Sequence, residues 1–141
     1  MDSDARNRVL SEARAWLGTP WHHQGAIKGV GVDCARLLCE VFHNAGLTPE
    51  IDPRPYPADW HFHRDEERFL GWLTDYADEV ATPEPGDVVV FKFGRCFAHG
   101  GIVTAWPLVI HSYNQVGVRE QDASTGKLSG RPVKFFRVKT P

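Results

Sequence analysis

The chain has 141 residues, 42% of them apolar and 24% charged, with a formal net charge of −2. That size suits one domain, residues 1–141, around one core, and the near-neutral balance offers no basic field for a phosphate backbone, which argues against nucleic-acid binding. No stretch is long and apolar enough to span a bilayer, Met1 to Asp4 lacks a basic segment followed by an apolar run, and Cys34, Cys39 and Cys96 are too few and odd for a disulfide framework; the expectation is a cytoplasmic product without signal peptide or membrane insertion, carrying at least one free thiol.

Val9, Leu10, Ala13, Trp16 and Leu17 recur at helical spacing behind the caps Ser3 and Asp4, which predicts a first helix over residues 4–17 ending at Gly18. Residues 18–32 hold Gly18, Pro20, Gly25, Gly29 and Gly31 without periodicity and read as an ordered loop. A second helix starts at Asp33: Cys34, Leu37, Leu38, Val41 and Ala45 share one face, with Gly46 closing it. Pro49, Pro53, Pro55 and Pro57 disfavour regular structure up to Trp60, and Phe69, Leu70, Leu73, Tyr76, Ala77 and Val80 predict a third amphipathic helix. After the turn at Pro85, Gly86 and Asp87 the period changes to that of strands, at Val88 to Phe93, Phe97 to Ala105, Leu108 to Tyr113, Val116 to Glu120 and Val133 to Val138. Helices first and strands second indicate an α+β domain with a mainly antiparallel sheet.

A thiol is nucleophilic as thiolate, and a helix N-terminus with a nearby imidazolium lowers its pKa from about 8.5 into the range of roughly 3.5 to 7.5. Cys34 occupies such a first turn, where its own backbone N–H is also one of the unpaired donors able to hold an oxyanion. His99 stands mid-strand before Gly100 and Gly101, whose missing side chains leave room for a helix or substrate, and His111 on the next strand is placed to orient it. Taken alone, Cys34 also reads as a buried structural cysteine and His99 as an incidental strand histidine.

For His99 and His111 to share a face, the hairpin between them needs the right parity. A plain two-residue loop at Trp106 and Pro107 pairs Ala105 with Leu108 and sets His111 opposite Ile102, on the face away from His99. An odd-length turn or a bulge within residues 104–108 is therefore required.

Together, Leu17 to Trp21, Gly31 to Cys34, Pro85 to Val88, His99 to Ile102 and Ile110-His111 resemble, in order and spacing, the NlpC-type cell-wall cysteine peptidases, over about Arg14 to Tyr113. The joint pattern of Asp33-Cys34, His99 with Ile102, and a second histidine twelve residues on is far more specific than any one piece. The resemblance implies a papain-like NlpC-type fold, a triad of Cys34, His99 and His111, hydrolysis of amide bonds in peptidoglycan stem peptides, and a substrate-site role for Asp33, whose other role is capping its helix. Trp16 to Gly25 resembles most the branch found in tailed phages and gene-transfer agents, which implies a virion tail component acting in the periplasm or cell wall, with other tail-tip proteins as partners.

Two positions depart from the family pattern. Many relatives carry tyrosine where Trp21 stands, and glycine where Arg36 stands; Arg36 either points away from the helix packing or enters the cleft and pairs with substrate carboxylates. His23 is expected to line the cleft beside Trp21. His22, His23, His61 and His63 raise the question of a metal, but no cysteine or carboxylate completes a ligand spacing, so neither metal nor cofactor is expected. Cys39 reads as a packing residue, Cys96 as an incidental loop thiol, and Trp60, Phe62 and Trp72 as aromatic cover for the core. Alternative functions are a catalytically silent papain-like adaptor of a tail tip, and an acyltransferase or other amidase using the same residues.

Overall fold

A computed structural model describes residues 1–52 and 68–141 of the chain. Helix α1 (Ser3–Ala15) begins where the Asp2 carboxylate accepts the Ala5 N–H at 2.8 Å, so the cap lies one residue before Ser3. Its buried residues Ala5, Val9 and Ala13 are spaced by four and form one stripe. Two short strands, β1 (Ala26–Ile27) and β2 (Gly31–Val32), form a hairpin within the expected loop. Helix α2 (Cys34–Asn44) is capped by Asp33, and Leu37, Leu38, Val41 and Phe42 are buried along it. Each such apolar side chain contributes on the order of 1.5–3 kcal/mol when fully removed from water.

Helix α3 (Arg68–Tyr76) is shorter than its apolar pattern suggests, because Ala77–Val80 leaves the helix to become strand β3. The cause is tertiary: β3 pairs antiparallel with β8 (Val133–Val138), an edge whose backbone groups need partners. Trp60, His61, Phe62 and His63 lie outside the described residues, as does the side chain of Trp72. Strands β4 (Val88–Phe93), β5 (Cys96–Ala105), β6 (Leu108–Tyr113) and β7 (Gly117–Asp122) complete a six-stranded antiparallel sheet in the order β3-β8-β4-β5-β6-β7. Cys96 is not a loop thiol but a buried residue of β5.

Alternation along the strands divides the interior in two. Val88, Val90, Ala98, Ile102, Ile110 and Val118 join α1 and α2 in the larger core, whereas Val89, Phe91, Val103 and Val109 pack on the opposite face with Ala123 and Leu128. The turn before β4 is fastened by Asp87, a fully buried carboxylate that accepts from Arg6 at 3.1 Å, from both Nε (3.1 Å) and Nη2 (2.8 Å) of Arg137, and from the Glu84 N–H at 2.8 Å. It ties α1 and the β8 residue Arg137 to the start of β4.

The β5–β6 hairpin contains the required irregularity. Ala105 pairs with Leu108 across Trp106 and Pro107, but Val103 pairs with Val109 and Ile102 with Ile110, so Thr104 is the extra residue of a bulge. That one residue moves His111 off the register opposite Ile102 and onto the face of His99. β5 pairs with β6 only from Ile102 onward, while β4 accompanies it from Cys96 to Ile102. The edge of β5 around His99 is therefore left for another element, and the N-terminus of α2 takes it.

Candidate active site

Cys34 opens α2 with its sulfur against that edge. Sγ lies 3.8 Å from the Ala98 carbonyl oxygen, and the backbone N–H groups of Gly100, Ala35 and Cys34 itself act on the sulfur to favour its thiolate. The thiol is thus held by the two peptides that flank His99. The helix is aimed there by Asp33, which is buried and whose two oxygens accept different backbone donors: Arg36 N–H at 3.0 Å, inside the helix, and Gln24 N–H at 2.7 Å, in the preceding loop. Ser112 adds a tie from the sheet by donating its hydroxyl to the Val32 carbonyl at 2.6 Å.

His99 points to the other face of the sheet, where its ring meets Phe93 and Tyr113 edge-on at centroid distances of 5.2 and 5.4 Å. Its Nε2 lies 2.8 Å from Nδ1 of His111, and Nε2 of His111 lies 3.1 Å from Oε1 of Gln121. His111 is completely buried. Burial pushes its pKa down to about 4, helped by the positive charge of Arg119 and opposed by the Gln121 hydrogen bond. The ring is neutral at pH 7, so one of its nitrogens donates and the other accepts.

The thiol departs from the sequence-based expectation. Burial, reinforced by the negative charge of Asp33, pushes Cys34 up to about 12, against the three backbone N–H groups that favour the thiolate. A helix N-terminus lowers a thiol's pKa where solvent or a cation accompanies it, and here the desolvation is the larger effect.

No family model matches the sequence, and neither does any curated protein. Solved structures do match. An NLP/P60-family protein described as similar to lipoprotein, from Staphylococcus aureus subsp. aureus Mu50, aligns with 98% of this chain and 42% of its own at 19% identity and a TM-score of 0.67. NlpC2 from Trichomonas vaginalis aligns with 100% of this chain and 48% of its own at 17% identity and a TM-score of 0.69. The NlpC/p60 domain of the peptidoglycan hydrolase SagA aligns over 96% and 98% at 15% identity and a TM-score of 0.60. The fold is that of the NlpC/P60 proteins. The chain spans less than half of the first two proteins and nearly all of the third domain.

Within this NlpC/P60 fold the other sequence-derived candidates are placed as follows. Trp21 is half-buried, its backbone bridges to Val32 beside Asp33, and its ring stacks on His23 at 6.4 Å and 23°. His23 Nδ1 lies 3.8 Å from the Asp33 carboxylate, so Trp21, His23 and Asp33 form one group ahead of Cys34. Arg36 is turned away from them: its guanidinium bonds Asp52 at 2.8 Å and lies 3.9 Å from Glu40, one helical turn on. The reach of Arg36 into the cleft toward substrate carboxylates is therefore not what the structure shows: the side chain is buried and paired within the protein.

Three neighbours of the imidazoles were missed in the sequence. Tyr113 follows His111 by two residues and so shares its face, a signal that strand period alone supplies. Phe93 and Gln121 come from flanking strands, and only the cross-strand register reveals them.

Proposed function

We propose that the chain is a cysteine endopeptidase that hydrolyses amide bonds of peptidoglycan stem peptides, with Cys34 as nucleophile, His99 as general base and His111 as the group that orients it. The observation that carries this reading is a thiol at a helix N-terminus held by the peptides either side of His99, whose ring is bonded to a buried, neutral His111. Similarity to the NlpC/p60 domain of a peptidoglycan hydrolase supports the substrate class.

In this mechanism the thiol proton passes to His99 as sulfur attacks the amide carbon, and the proton then goes to the leaving amine. Water, deprotonated by His99, hydrolyses the thioester. A thiol pKa pushed up by burial favours proton transfer that accompanies attack over transfer that precedes it. The backbone N–H groups of the first turn of α2 are positioned to receive the negative charge that develops on the carbonyl oxygen. Trp21, His23 and Asp33 border the substrate, and action from a virion tail, alongside other tail-tip proteins, is the setting that the Trp16 to Gly25 pattern supports.

A second reading, a silent adaptor, draws on the raised thiol pKa. Incubating the wild type and Cys34→Ala with isolated muropeptides and identifying products by mass spectrometry separates the two. Loss of cleavage in the variant alone is expected; no cleavage by either protein, with tight binding to a tail protein, overturns the enzymatic reading.

A further inference from the structure

Gln121 completes a directional chain of hydrogen bonds behind His99. Its amide has two unlike ends, and the protein distinguishes them: Nε2 lies 3.4 Å from the Thr125 carbonyl oxygen, which only a donor can satisfy, leaving Oε1 to face His111 Nε2 at 3.1 Å. The loop that presents Thr125 is fastened to itself. Asp122 Oδ1 accepts the Ser124 N–H at 2.8 Å and hydroxyl at 2.6 Å, and the Thr125 hydroxyl donates to the Asp122 carbonyl at 2.8 Å.

An acceptor at Gln121 places the single proton of neutral His111 on Nε2. The Nδ1 lone pair of His111 then accepts Nε2–H of His99 at 2.8 Å, and the lone pair of neutral His99 falls on Nδ1. We propose that Gln121 is a positioning residue that, through His111, fixes Nδ1 of His99 as the nitrogen that takes the Cys34 proton. The proposal rests on the role given above to Cys34 and His99. In the transfer the S–H bond breaks, an N–H bond forms at Nδ1, and the imidazolium keeps Nε2–H on His111; nothing else changes hands. The groups facing His111 are His99 on β5, Arg119, Gln121 and Tyr113 on β6 and β7, and Lys127 over the Tyr113 ring at 5.8 Å.

Two substitutions act in opposite directions. Glutamate offers only acceptors and keeps the proton of His111 on Nε2; lysine offers only donors and moves it to Nδ1, which turns His99 around. Protein labelled with 15N-histidine, read by long-range 1H–15N correlation, reports each tautomer, and the pH profile of Cys34 alkylation by iodoacetamide reports the base. Expected are wild-type tautomers in Gln121→Glu with the acid limb of the profile moved to higher pH, and reversed tautomers in Gln121→Lys with alkylation near neutral pH slowed roughly tenfold or more. If Gln121→Lys does not fold, Gln121→Met, which can neither accept nor donate there, is expected to show a mixture of His111 tautomers. Unchanged tautomers and an unchanged profile in the substituted proteins overturn the proposal. Neither readout uses a muropeptide, so a failure of the substrate reading leaves this test intact.

Discussion

Asp33 caps the helix that begins at Cys34, and the same carboxylate opposes ionisation of the thiol beside it. One side chain therefore orients the nucleophile and, second to burial, favours its thiol form. Asparagine at this position retains an oxygen for the Arg36 N–H and removes the charge. Asp33→Asn is expected to lower the Cys34 pKa and speed iodoacetamide alkylation near neutral pH. Asp33→Ala is expected to cost about 1–2 kcal/mol in denaturant unfolding, because the backbone donors of Arg36 and Gln24 lose their acceptor. Equal alkylation rates in wild type and Asp33→Asn would contradict the electrostatic role.

The buried ring of His111 makes stability depend on pH. Its folded pKa, about 4, lies below the value of about 6.5 in the unfolded chain. Between these values the unfolded chain binds a proton that the folded protein excludes. The contribution is complete above about pH 6.5 and is lost as pH falls through 4, by roughly 3 kcal/mol in all. Urea unfolding at a series of pH values from 7 to 4 should show this decline, and His111→Asn should show a shallower one. Parallel curves for the two proteins would exclude it.

At Gly101 a side chain would collide with the next strand: a Cβ there would lie 3.0 Å from the Ile110 carbonyl oxygen and 3.2 Å from His111 Cβ. Gly101→Ala must spread β5 from β6 where the imidazoles meet. The expected loss is about 1–3 kcal/mol in stability, together with a fall in turnover that persists under conditions where the variant is fully folded. Wild-type turnover in folded Gly101→Ala would show that His111 need not be so closely seated.

Removing Asp87 leaves Arg6 and Arg137 without their shared buried partner and opens the turn before β4. Asp87→Ala is expected to cost about 3 kcal/mol, on the scale of breaking one side of a buried ion pair, and the contacts of Cys34 should remain because Asp87 lies at the far end of β4. Thermal unfolding combined with alkylation of the folded fraction distinguishes this from a direct effect on the site.

Much of the architecture is readable from periodicity. Val9 and Ala13, or Leu37, Leu38 and Val41, repeat at the helical interval, and the runs after Asp87 are short and β-prone, so helices, strands and the inward direction of Cys34 follow from local order. The missing parts depend on distant partners. Ala77 to Val80 continue a helical pattern yet pair with β8; Arg36 follows Asp52; Gln121 meets His111 through strand register. The direction of the Cys34 pKa shift depends on distant partners too. A helix terminus is visible in sequence, whereas the desolvation that opposes it arises from the packing of the half-buried Cys34 against distant elements.

The bulge at Thr104 means that core and chemistry keep a common phase along β6. Ile110 faces the helices and His111 the opposite side only while that single residue is counted. A deletion or insertion in the hairpin would exchange their places, burying an imidazole among aliphatic side chains and turning an isoleucine toward His99. Length changes at this tip should therefore be tolerated in steps of two residues and not of one, an unusual rule for a surface connection.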